Sequence, residues 1–308
     1  MSRHLRVPRK RPHKSVLSAA VINTAEWLEP RRLLSSAPVG PEIPIAASSG
    51  GTSLTGPAVA IDNAGDFIVT WSASGGGSNG LDIWARRYDA AGDPLGDAFV
   101  ANTTTAGDQV APAIATDAGG DFVISWATIF GNPSNELWTL SSQSFDSTGA
   151  ARGGQVTLSN SGWLQPGAKV TMFSDASFVA AWQTKIPGNT NEVVYQDYSS
   201  SGVPSGSQIV VTSLTASIVV GVVNDASGDI AVAWLNANTA FHLSAYNGTG
   251  TALSGDVLVA SANIITDAGV AMTSTGNIGV TWLSSSSSSV YQCFANGFSL
   301  GGVAQGAN

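Results

Sequence analysis

The chain has 308 residues, of which 11% are charged and 43% apolar, with 35 glycines. A disordered body needs low hydrophobicity and high net charge, so that class is excluded, and no run of about 18 apolar residues is present to form a transmembrane helix. The net charge of −8 is unevenly placed, because residues 1–35 hold eight of the thirteen Lys and Arg against only Glu26 and Glu29. The remainder is therefore acidic and offers no basic surface to neutralise phosphates, which excludes nucleic acid as a partner. A single cysteine, Cys293, rules out an intrachain disulfide scaffold.

Residues 1–37 read as a leader. A basic stretch from Arg3 to Lys14 precedes the short apolar run VLSAAVI at 16–22, followed by LEPRRLLSSA at 28–37. A secretory signal needs a positive start and ~7–15 apolar residues, so the apolar run sits at the minimum. Leu28, Glu29, Pro30, Arg31, Leu33 and Leu34 resemble the LEPR-XLL motif found near the N-termini of large surface or secreted proteins of planctomycete bacteria. That resemblance implies a sorting role and a secreted or envelope location. It carries no information about the chemistry of the body.

The body is a repeat. Trp71, Trp126, Trp182, Trp234 and Trp282 recur at spacings of 48–56 residues, each closing an apolar segment: GDFIVTW, GDFVISW, ASFVAAW, GDIAVAW and GNIGVTW. An apolar strand precedes each, clearest in PAVAID (57–62) and PAIATD (112–117). A strand ending in an aromatic follows: IWARRYD (83–89), LSSQSFD (140–146), VYQDYS (194–199), LSAYN (243–247) and VYQCFA (290–295). Gly92, Gly149, Gly202 and Gly250 follow that aromatic by four residues, and a weaker strand closes the unit. Four short strands per ~50 residues is the pattern of propeller blades.

Alternation along the Trp-ending strands separates a large face (Phe122, Ile124, Trp126) from a small one (Val123, Ser125), neither of them charged. Both faces are expected to be buried, the large face of one blade against the small face of the next. The turns DNAG (62–65), DAGG (117–120) and DASG (225–228) fit tight hairpins, while Ser174-Asp175-Ala176 reads as a shorter version and Thr273–Gly276 lacks the Asp.

These units resemble a D-x-x-G-D-F-x-V-x-W…Q-x-[YF]-D…G repeat of large bacterial extracellular proteins, with Gln143, Gln196 and Gln292 at its Gln position. The resemblance implies surface exposure and blade-like structure. The fold expected is all-β, a β-propeller of about five four-stranded blades, complete or as part of a larger propeller. Its units fall at about 55–109, 110–163, 164–217, 218–264 and 265–308. Within 38–54, EIPIAAS (42–48) is expected to supply a strand that closes the ring on the last blade, and 299–308 reads as a weak fourth strand.

Catalytic motifs are sparse. Gly76–Gly80 matches G-x-S-x-G but lies in a Gly/Ser stretch, and His242 is the one histidine outside the leader, so neither a nucleophile elbow nor a multi-histidine metal site is expected. The paired turn aspartates, Asp62 with Asp66 and Asp117 with Asp121, are the candidate ligands for calcium, although two carboxylates make a thin set. Asn102-Thr103-Thr104 and Asn247-Gly248-Thr249 match the glycosylation sequon.

Strand order places the loops between second and third strands on one face with the loops joining successive units. Asp82, Glu136, Glu192 and, from a joining loop, Asp108 are therefore expected to share an acidic face suited to cationic or polyhydroxyl partners. The reading is a non-catalytic extracellular or envelope module for adhesion, scaffolding or binding, with a protein or glycan partner. The alternative is a carbohydrate-active hydrolase or lyase, which needs two carboxylates facing a sugar across the funnel.

Overall fold

The computed structural model of the chain describes residues 42–46, 53–75, 80–130, 137–160, 167–186, 190–213, 217–237, 239–262, 264–287 and 290–305. The expected leader, and Gly76–Ser78–Gly80 apart from Gly80, lie outside them. The chain divides into Met1–Ile43 and Pro44–Asn308, and all five sheets belong to the second unit. Each sheet is an antiparallel meander. Blade 1 holds β1 (Leu54–Ile61), β2 (Phe67–Ser74), β3 (Leu81–Tyr88) and β4 (Phe99–Val100). Blade 2 holds β5 (Asp108–Thr116), β6 (Phe122–Phe130), β7 (Leu137–Phe145) and β8 (Ala151–Ser159). Blade 3 holds β9 (Lys169–Met172), β10 (Phe178–Ile186), β11 (Thr190–Tyr198) and β12 (Pro204–Ser213). Blade 4 holds β13 (Ser217–Asn224), β14 (Ile230–Asn236), β15 (Ala240–Tyr246) and β16 (Val257–Ser261). Blade 5 has three strands, β17 (Ile264–Met272), β18 (Ile278–Ser287) and β19 (Val290–Phe298). Neighbouring first strands pack in the order β1, β5, β9, β13, β17, the arrangement of a five-bladed β-propeller.

Alternation in the sequence sets the packing between blades. Ile68, Ile83 and Ala85 of blade 1 meet Phe122, Ile124 and Trp126 of blade 2. Val123 and Ala127 of blade 2 meet Phe178, Ala180 and Trp182 of blade 3. Val179 and Ala181 then meet Ile230, Val232 and Trp234, and Ala231 and Ala233 meet Ile278 and Val280. The small face of each blade thus receives the large face of the next, four times over. Trp126, Trp182 and Trp234 are fully buried there, and each contributes about 4–6 kcal/mol of transfer free energy as an upper bound. The outer faces of the first and last blades stay open: Val59 and Ile61 are 63% and 65% exposed, as are Ala271, Gly279 and Thr281 on blade 5.

The D-x-x-G-D turns are built from their own side chains. Asp62 Oδ1 accepts from the amides of Ala64 and Asp66 at 2.8 and 3.0 Å, and Asp117 and Asp225 repeat the arrangement in blades 2 and 4. Gly65, Gly120 and Gly228 close these turns at φ of 92°, 87° and 90°, where a Cβ would be strained. The second aspartate joins two turns of one blade, since Asp66 accepts from Ala90 N at 2.9 Å and Asp121 from Ser147 N at 2.8 Å. Asp121 also pairs with Arg152.

Two sequence expectations are corrected by register. The third-blade turn is not shorter: Ala176 N donates to Phe173 O at 3.0 Å, so Phe173 occupies the Asp place and Ala176 the Gly place, at φ 63°. In blade 5 the pairing of Ile278 with Phe298 makes Phe298, not Phe294, the terminal aromatic of β19, and Asn296 rather than Gln292 falls at the Gln position. Gly302 then follows by four residues at φ 75°, like its counterparts. Residues 299–305 form this turn and one bridge, Phe298 to Ala304, rather than a fourth strand. Of the expected closing segment, Glu42–Ala46 carries no strand, and residues 47 and 48 lie outside the described residues. Among the described residues no helix is long and apolar enough to cross a membrane.

Candidate functional site

The starts of β3 and β5 lie on one face, because Leu81 N donates to Asp108 Oδ1 at 2.9 Å. Asp82, however, is fully buried and accepts from Asn102 Nδ2 at 2.8 Å. Asn102 in turn accepts from Ile83 N at 2.7 Å, so this sequon asparagine is part of the buried network. Glu192 is half-buried and accepts from Ser213 Oγ at 3.0 Å. Glu136 lies outside the described residues. Asp82 is therefore enclosed within the fold, whereas Asp108 stays exposed at the start of β5 and holds the Leu81 amide. His242 is a strand residue, stacked on Trp234 and bonded to Asp256 at 2.6 Å. Among the described residues no three His, Cys, Asp or Glu cluster in a way that would hold a metal ion. The carboxylates considered for calcium are the turn acceptors described above.

The opposite face, formed by the first turns of the blades, carries a cleft of about 1110 Å3. Its wall includes Asn63, Asp117, Phe173, Asp175, Tyr195, Asp197, Asn224 and Asn247, and among the described residues no Lys or Arg. Phe173 sits there because the third-blade turn lacks the usual Asp. Tyr195 and Asp197 alternate along β11 on the side facing blade 4, where Tyr195 contacts Tyr246 at 5.0 Å between ring centroids. Tyr195 is 1% exposed, and its hydroxyl has no hydrogen-bond partner. Burial, with the Asp197 charge and Tyr246 nearby, pushes its phenol well up, so it stays protonated. Burial likewise raises the Asp197 carboxyl above 3.8. Hydrogen bonds from Ser177 hold Asp175 in the other direction.

Register shows how unusual these positions are within the chain. Cross-strand pairing aligns Tyr195 with Ala85, Ser142, Leu243 and Ala295, and Asp197 with Arg87, Ser144, Ala245 and Gly297. VYQDY at 194–198 held this signal, since only blade 3 places a carboxylate there.

No protein-family profile and no curated protein sequence matches the chain. Among solved structures it is similar to a protein of unknown function from Dyadobacter fermentans, at 7% identity over 82% of each chain, with a TM-score of 0.54. It is also similar to the SapL1 lectin in complex with alpha methyl fucoside (15% identity, 81% of this chain and 78% of that one, TM-score 0.48). An endo-arabinase from Bacteroides thetaiotaomicron matches at 12% identity over 78% of this chain and 92% of its own, with a TM-score of 0.43. At such identities the likeness is one of fold. The chain is a β-propeller.

Proposed function

We propose that this chain is an exported, non-catalytic β-propeller that binds a polar ligand in the cleft on its first-turn face. The observation that carries the reading is that blade 3 departs from the repeat at Phe173, Tyr195 and Asp197, and all three line that one cleft. Departures that the fold does not require are the mark of a site placed on a scaffold. The LEPR-XLL resemblance at Leu28–Leu34 supports export to the envelope or beyond. A second reading, a carbohydrate-active hydrolase, is favoured by Asp197 and Asp175, whose carboxyls are pushed in opposite directions within one cleft. Incubating the full chain with soluble polysaccharides and measuring both binding and released reducing ends separates the two. Saturable binding without release supports the module; steady release that Asp197→Asn abolishes supports the hydrolase.

A further inference from the structure

We infer that Tyr195, Asp197 and Asn247 form a subsite for vicinal hydroxyls of a neutral sugar, a reading that rests on the proposed binding role of the cleft. The internal repeat supplies the control for what the fold requires. Four other blades keep their strands with Ala85, Ser142, Leu243 or Ala295 where blade 3 has Tyr195. They also manage with Arg87, Ser144, Ala245 or Gly297 where it has Asp197. Tyr195 lines the cleft, and its hydroxyl is buried and lacks a partner. A hydroxyl so placed is left with its desolvation unrepaid unless something bonds to it. Asp197 is half-buried with its burial uncompensated, which leaves its oxygens as acceptors. Asn247, also in the cleft lining, has Oδ1 accepting from the amides of Thr249 and Thr251 at 3.1 and 2.8 Å, which leaves its amide nitrogen as a donor.

The chemistry narrows the ligand. An anion is disfavoured, because among the described residues the wall of the cleft holding Asp197 has no Lys or Arg. A divalent cation wants six to eight oxygens, and no cluster of three acidic or metal-binding side chains occurs among the described residues. A sugar diol matches instead: one hydroxyl donates to the Asp197 carboxylate while it or its neighbour accepts from Tyr195 Oη and Asn247 Nδ2. Phe173, partly exposed in the cleft lining, offers apolar surface to the C–H face of the ring.

The test uses the full chain with neutral arabinan and dextran oligosaccharides, anionic polygalacturonate as the contrast, and calorimetric titration. Three variants are compared: Tyr195→Phe, Asp197→Asn, and Ser174→Trp, which puts a bulky ring at an exposed position of the cleft wall. The subsite is supported if a neutral oligosaccharide binds and both conservative variants weaken it at least tenfold with no loss of melting temperature. If Ser174→Trp abolishes binding and the other two leave it intact, the cleft stands and the subsite falls. Binding that survives Ser174→Trp overturns the cleft and the subsite together. Binding of polygalacturonate alone, or of no saccharide, overturns the ligand class.

Discussion

Asn102 bridges Asp82 and the backbone of Ile83, donating at 2.8 Å to the buried carboxylate and accepting at 2.7 Å from the amide. All three residues lie inside blade 1, away from solvent. Replacing Asn102 by Ala removes one hydrogen bond from the buried Asp82 carboxylate and the side-chain acceptor of the buried Ile83 N–H, so Asn102→Ala should lower stability by about 1–3 kcal/mol. Urea unfolding checks this. A change below ~0.5 kcal/mol would mean water replaces the bridge and would reopen Asp82 as a surface ligand.

Trp126 is fully buried between blades 1 and 2, whereas Trp282 of the last blade is half-buried. Cutting a buried aromatic to Ala costs ~3–5 kcal/mol. Trp126→Ala should therefore destabilise the protein by that amount, and Trp282→Ala by clearly less. Equal losses in thermal or denaturant unfolding would contradict the graded packing along the blades.

Ala176 takes the left-handed turn position, φ 63°, that Gly65, Gly120 and Gly228 fill in other blades. Its Cβ is buried in the cluster around Phe178 and Trp182. Relief of backbone strain opposes loss of a packed methyl, and the strain is the larger effect, so Ala176→Gly should stabilise by up to about 1 kcal/mol. Calorimetry reads the shift directly; a lower melting temperature would show that the methyl contact dominates.

The strand repeat was legible because period-two alternation and buried tryptophans are read from single residues, and Trp126, Trp182 and Trp234 landed where that alternation put them. Blade 5 was misread because its Cys293-Phe294 segment imitates the terminal aromatic, and only the cross-strand pairing of Ile278 with Phe298 fixes the register. Asp82 departs from the sequence expectation for a different reason. Acidic loop positions such as Asp82 look exposed in sequence, yet its burial depends on a partner, Asn102, 20 residues away. Asp197 sits in a strand, where a lone carboxylate draws attention only after the blades are aligned.

Asp197 also makes a prediction about pH. Burial raises its carboxyl above the ordinary 3.8, so between that value and its folded value the native state holds a proton that the unfolded chain has released. The group therefore favours folding at low pH, and this contribution is lost as pH rises through the folded pKa. Asp197→Asn removes the ionisable group while keeping its shape. The variant should gain melting temperature relative to the parent as pH climbs from about 3 toward 7, with the gain smallest at the acid end. A difference that stays flat across the range, or shrinks with rising pH, would show that Asp197 is solvated or paired. In that case the carboxylate would not be waiting for a ligand in the cleft.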